Sequence, residues 1–191
     1  MKKTAARSKE ATHERIVDAA ARAIRRSGYH GTGVADIMKE AGLTHGGFYA
    51  HFASRDAMLA EAADHAGSEA VALMERVAAA VPAQDALPAM IRAYLSETAK
   101  AIETGCATAA LASEMPRQAP EVRRAATRRI KEMIDLVARH SPEWGQSGAH
   151  EQALVAVSTM VGALVLARAV DDPRLSDALR DAAQRHLTHA E

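Results

Sequence analysis

Apolar residues recur along this chain at spacings of three and four, and the short alternating runs that build strands are missing. Ile16, Ala20, Ala23 and Ile24 share one face of a first helix predicted from about Lys9 to Ser27, with Gly28 as its stop. The basic, polar stretch Met1 to Ser8 reads as a tail before it. Tyr29 to Gly31 turn the chain. Thr32 is placed to cap a second helix carrying Val34, Ile37, Met38 and Ala41, and Gly42 ends that helix. Thr44 then caps a third, short helix reaching about Phe52. Ser54 opens a fourth with Asp56 in its first turn, where the helix dipole favours an acid. Met58, Leu59, Ala62, Ala66, Leu73, Met74 and Val77 line it as far as Pro82.

Beyond Pro82 the same periodicity predicts helices at about Asp85 to Glu103, Cys106 to Ser113, Pro120 to His140, His150 to Val170 and Ser176 to Thr188. Gly105, Pro116, residues 142–148 and Asp171 to Pro173 separate them. The longest apolar stretch, Ala153 to Ala167, ends at Arg168; it is too short to cross a bilayer and reads as a buried helix. The expected fold is all-α with about nine helices. The first three form a helix-turn-helix domain at residues 1–53, two helices joined by a short glycine turn. A larger helical domain follows at 54–191.

Composition agrees. Aromatic residues make up only 3% of the chain and alanine is abundant. The net charge is zero but unevenly spread: residues 1–55 hold ten Lys/Arg and five Asp/Glu (+5), and the remainder holds fourteen and nineteen (−5). The basic end is where a phosphate backbone is attracted. One cysteine, Cys106, excludes an internal disulfide and fits a reducing cytoplasm. No secretion signal is recognisable, so a cytoplasmic protein is expected.

Residues 32–58 read TGVADIMKEAGLTHGGFYAHFASRDAM. Thr32, Ile37, the Ala41-Gly42-Leu43-Thr44 turn, Phe48-Tyr49, His51-Phe52 and Ser54-Arg55-Asp56 together resemble the DNA-binding signature of the TetR/AcrR family of transcriptional regulators. The likeness covers about the first quarter of the chain; the remainder shares only the number and order of helices. A short helix presented on a rigid pair can enter the major groove with its N-terminal residues nearest the bases. Gly46 and Gly47 are unusual there, each costing about 1 kcal/mol against alanine in a helix. Close approach to DNA is the compensation.

The resemblance implies base-edge or nearby phosphate contacts for His45 and Tyr49, and phosphate anchors at Thr32, Thr44 and Arg55. Lys9 and the tail add unspecific attraction. His51 either touches phosphate or stabilises its own domain. Thr32 and Thr44 are helix caps in any case, Phe48 and Phe52 are core residues, and Arg55 and Tyr49 also admit purely structural readings. Ala35 departs from the family, some members of which carry a base-reading arginine there.

The family arrangement also implies that the last two helices pair two subunits and that the helices before them enclose a ligand cavity. Ala153, Val157, Val161, Leu164 and Val165 make an apolar stripe, with small Ser158 and Gly162 four apart to let helices approach; burial within one subunit is the other reading. Met90, Tyr94, Met115, Met133, Trp144 and Met160 are candidates to line the cavity, methionine being adaptable to varied apolar shapes; any one of them is more often plain core. Cys106 opens a helix, a position that favours thiolates. It is either a sensor of electrophiles or oxidants, or a small buried side chain.

His186 and His189 stand three apart without a third ligand, so no metal is expected, and no cofactor. No phosphate-cradling glycine loop or nucleophile elbow is present, which argues against an enzyme. The expected partners are a double-stranded DNA operator, a second copy of the chain and a small apolar effector, with no membrane. A sequence-independent architectural DNA binder is the alternative.

Overall fold

Helix-forming residues run without a breaker from Lys2 to Ser27, and α1 occupies that whole span (Lys2–Ser27) rather than beginning near Lys9. The computed structural model describes residues 2–96, 101–103 and 105–188; His189 lies outside them. Gly28, with φ of +71°, takes the left-handed turn that ends α1. α2 (Val34–Glu40) ends the same way at Gly42, also at +71°. A 3-10 helix (His45–Ala50) stands where the third helix was expected. It is tighter and shorter than predicted, consistent with adjacent glycines weakening an α-helix at its start. α3 (Arg55–Ala79) begins at Ser54, whose hydroxyl accepts the Ala57 N–H at 3.0 Å as a true N-cap.

α4 (Ala86–Tyr94), α5 (Ala107–Leu111), α6 (Pro120–Arg139), α7 (Ala149–Ala169) and α8 (Pro173–Thr188) complete the chain. α8 starts earlier than its apolar pattern suggests. Pro173 is a helix starter there, and the Asp172 carboxylate accepts the N–H groups of Arg174 (2.9 Å) and Leu175 (3.3 Å). Among the described residues, eight α-helices and 3-10 helices at 45–50, 83–85 and 115–117, with no strand, make the expected all-α fold.

Two apolar clusters organise it. The first joins α1, α2, the 3-10 helix and the start of α3 around Ile16, Ile24, Tyr29, Ile37, Met38, Phe48, Phe52, Met58 and Leu59. The second joins the end of α3 to α4, α6, α7 and α8 around Met74, Met90, Ile91, Leu95, Leu136, Met160 and Leu164. α3 belongs to both. Its crossing with α6 is close at Gly67, where a Cβ would stand 2.6 Å from the Arg129 side chain. Above that crossing Arg129 grips Asp64 through Nε (2.8 Å) and Nη2 (2.6 Å).

The helix-turn-helix unit is bound to the rest by polar links as well. Arg25, 5% exposed, donates to the carbonyls of Ala66 (2.9 Å) and Glu103 (3.1 Å) and pairs with Glu69. The Glu114 carboxylate, between α5 and α6, accepts the Tyr29 N–H at 2.9 Å.

Candidate nucleic-acid interface and inner cavity

Phe48 and Phe52, stacked at 5.6 Å between ring centroids, are almost wholly buried and anchor the 3-10 helix from beneath. The same helical turn therefore directs Thr44, His45, Gly46 and Tyr49 outward. Tyr49 is 75% exposed, its ring edge-on to Phe48 at 5.1 Å. Thr44 occupies the N-cap position, yet its side chain makes no capping bond, which leaves the hydroxyl available to an outside partner. Neither Gly46 nor Gly47 has a positive φ. A Cβ on Gly46 would meet nothing within 4 Å, and one on Gly47 only the Met38 methyl at 3.6 Å. Packing within the subunit thus gives no reason for either glycine. The surface they create is bare backbone beside an exposed phenol, a shape that admits another molecule closely.

Two expected contacts are placed differently. Thr32 is 4% exposed and does not cap α2, which has Gly33 at its N-cap. Its hydroxyl donates inward to the carbonyls of Gly28 (2.6 Å) and Ala23 (3.3 Å), because this closes the α1–α2 turn. Arg55 is half-buried and donates to the carbonyls of Tyr29 and Thr32 (3.0 Å) on the same turn. Both side chains are committed to the domain's interior. His51 is also partly enclosed: its Nδ1 is buried without a hydrogen-bond partner, and its ring lies 6.0 Å from His13. Burial disfavours its protonated form, and His13 and Lys9 add to that.

The apolar stripe of α7 divides into two faces. Ala153, Val157 and Leu164 are buried against their own subunit, which corrects the expectation that they face a partner. Ser158 and Val165 are exposed, Val161 and Gly162 half-buried. Leu154, Val155 and Leu166, unmarked by the sequence reading, are exposed beside them at 42%, 54% and 53%. A helix apolar on every side offers no sequence signal for which face turns inward.

Of the expected cavity residues, Tyr94, Cys106 and Met133 surround one small enclosed space of about 30 Å³ with Val71, Ile130 and Val157. Met90 and Met160 are plain core at 1% and 2% exposure, Met115 packs on the first cluster, and Trp144 is 59% exposed on the α6–α7 loop. Those four are corrections: side-chain chemistry named them, but the helix faces they occupy point elsewhere. The Tyr94 hydroxyl is buried beside Cys106, and burial, reinforced by that neighbour, pushes its ionisation well above the ordinary range. Asp18, His65 and Glu69 also gather their donor atoms within 4.8 Å, although 47 residues separate the first two in sequence. Arg22 and Arg25 hold the outer oxygens of the two carboxylates, so this group belongs to an ion-pair network.

Residues 16–62 match the model of the bacterial regulatory proteins of the tetR family, and residues 80–185 match the C-terminal domain of LmrA/YxaF-like transcriptional regulators. An uncharacterized HTH-type transcriptional regulator of Mycobacterium tuberculosis is 34% identical over 164 residues, covering 81% of this chain and 83% of the relative. Among solved structures, a TetR transcriptional regulator from Chloroflexus aurantiacus superposes with a TM-score of 0.79 at 26% identity, covering 96% and 97% of the two chains. FadR of Bacillus subtilis, solved in complex with stearoyl-CoA, shares the fold with a TM-score of 0.69 at 20% identity, covering 93% and 98%.

Proposed function

Since this chain belongs to the TetR family of helix-turn-helix transcriptional regulators, we propose that it works as a cytoplasmic, ligand-responsive repressor that binds a palindromic operator as a homodimer. The observation that carries the reading is the surface around Gly46: exposed Thr44, His45 and Tyr49 beside backbone with no intramolecular need for glycine. On this reading Thr44, His45 and Tyr49 touch bases or phosphates in the major groove, and Gly46 and Gly47 allow the helix to enter it. His51 supports the ring cluster beneath, while Thr32 and Arg55 hold the turn that positions the helix. The DNA-binding unit extends to about residue 53.

The exposed Leu154, Val155, Val165 and Leu166, with Ser158 and Gly162 between them, supply the pairing face. Pairing sets two recognition helices at the spacing of successive grooves. The space around Tyr94 and Cys106 is the effector site. FadR, which shares the fold, holds an acyl-CoA, and this supports a small-molecule site in the C-terminal part. Effector binding opens the small cavity, displaces α3 and changes the separation of the two recognition helices, a coupling of about 1–3 kcal/mol.

Selection of bound fragments from genomic DNA, run in parallel with light scattering, tests the reading. A dimer that enriches a palindrome is expected. A monomer, or a dimer whose DNA is fully displaced by bulk competitor, would overturn it.

A further inference from the structure

Asp18 on α1, with His65 and Glu69 one turn apart on α3, directs three donor atoms toward a common point. His65 Nε2 stands 3.8 Å from Asp18 Oδ1 and 3.6 Å from Glu69 Oε1. Both separations are too long for a hydrogen bond, and one imidazole proton satisfies only one of the two oxygens. The other oxygen of each carboxylate is already held, Asp18 Oδ2 by Arg22 and Glu69 Oε2 by Arg25. Arg25 is itself fixed by the carbonyls of Ala66 and Glu103, so Glu69 is oriented from behind. The inner edge of this ion-pair network is therefore a set of three lone-pair donors that converge without bonding to one another.

Charge and spacing both favour a cation there. The network links four carboxylates (Asp18, Glu40, Glu69, Glu103) to three arginines (Arg22, Arg25, Arg26), which leaves one net negative charge when His65 is neutral. Donors around a four-coordinate ion at about 2.1 Å stand about 3.4 Å apart, so the two His65 spacings need shorten by only a few tenths of an ångström. Asp18 and His65 also line an open groove between α1, α3 and α6, which gives an ion a way in and a fourth position for water.

We propose that Asp18, His65 and Glu69 bind a divalent cation of the zinc class and so tie α1 of the DNA-binding unit to α3. One imidazole with two carboxylates suits zinc, whereas magnesium and calcium take oxygen donors in larger number. Arg22 and Arg25 then do what partners of metal-bound carboxylates do, which is to fix their orientation. The ion is a second small-ligand input to the helices that carry the recognition element, apart from the space around Tyr94 and Cys106. Its binding needs neither a dimer nor DNA, so it stands or falls separately from the operator reading.

The test titrates the full-length protein with zinc chloride against a chromophoric chelator at neutral pH, and repeats the titration with cobalt(II) as a spectroscopic probe. One equivalent of zinc is expected, with a rise in melting temperature that magnesium does not reproduce. His65→Gln and Asp18→Asn should each weaken zinc binding at least tenfold. Their side chains are 39% and 47% exposed, so both variants should fold, which circular dichroism checks. His13→Gln removes the neighbouring imidazole that pairs with Glu61, and it should change zinc affinity by no more than about twofold. Bound cobalt should show visible bands without thiolate absorption. No zinc bound from a several-fold excess overturns the inference, as does equal binding by the native protein and both variants. A thiolate band, which gives the ion to Cys106, or a His13→Gln loss as large as that of His65→Gln, overturns it too.

Discussion

The carboxylate of Glu114 accepts the backbone N–H of Tyr29 at 2.9 Å, joining residues 85 apart in sequence. The contact is possible because Gly28 precedes Tyr29: a Cβ at Gly28 would stand 2.2 Å from a Glu114 oxygen. One glycine thus serves both the left-handed turn and a link from the C-terminal part to the DNA-binding unit. Gly28→Ala should therefore cost more than the about 1–2 kcal/mol expected from a left-handed φ alone, and Glu114→Gln about 1 kcal/mol. Urea unfolding of both variants checks the order. A Gly28→Ala variant no less stable than Glu114→Gln would refute it.

Gly46→Ala should separate stability from binding. Nothing lies near the added methyl, so the variant should be more stable by about 0.5–1 kcal/mol. Operator affinity should fall at least as far as in Tyr49→Ala, by about 1–3 kcal/mol. Thermal melting and fluorescence anisotropy on a selected operator measure the two effects. Unchanged affinity would remove Gly46 from the interface.

Arg55→Ala should act mainly on the fold. Losing donors to the Tyr29 and Thr32 carbonyls should destabilise the N-terminal unit by about 1.5–3 kcal/mol. The slope of operator affinity against salt should be nearly unchanged, because no phosphate contact is lost. A slope reduced by about one unit at constant melting temperature would return Arg55 to the phosphates.

Leu166→Arg should give a folded monomer, since that side chain is 53% exposed in one subunit. Leu164→Arg, two residues away and fully buried, should not fold. Light scattering and circular dichroism separate the outcomes. A dimer persisting in Leu166→Arg would place the pairing face elsewhere.

Asp64 gives the α3–α6 crossing a pH dependence. Burial raises the carboxyl, but hydrogen bonds and charge from Arg129 and Arg128 outweigh it and hold its ionisation below the ordinary 3.8. A carboxylate depressed in the folded state contributes stability above its unfolded value and loses it as pH falls through the folded one. Asp64→Asn should thus be less stable than the native protein by about 1.5 kcal/mol at neutral pH, and the gap should close below pH 3.8. A constant gap down to acid pH would exclude this origin.

The DNA-binding unit was legible in the sequence because its signals are local. Gly28, Gly42 and Ser54 punctuate helices within a few residues, and the Phe48–Phe52 spacing itself turns Tyr49 outward. Thr32 misled for a related reason: a threonine just before a helix resembles a cap, and only the fold shows its hydroxyl turned back to Gly28. The second half was legible as helices but not as faces. Val155 and Val157 are alike in sequence; one is exposed and the other lies in the second apolar cluster, among residues of α4, α6 and α8. Trp144 and Glu114 show the same limit, since what each touches depends on chain distant in sequence.

α3 is a single unbroken rod of 25 residues, about 37 Å long at 1.5 Å per residue. Met58 and Leu59 fix one end in the first apolar cluster, and Met74 and Ala78 fix the other in the second. It therefore behaves as a crank. A tilt of about 10° carries the far end through roughly 6 Å on a rod of this length. In the proposed dimer, two copies related by a twofold axis double the error to about 12 Å, a third of the roughly 34 Å between successive grooves. On that reading a disturbance no larger than a few carbon atoms near Gly67 is enough to spoil the fit to DNA.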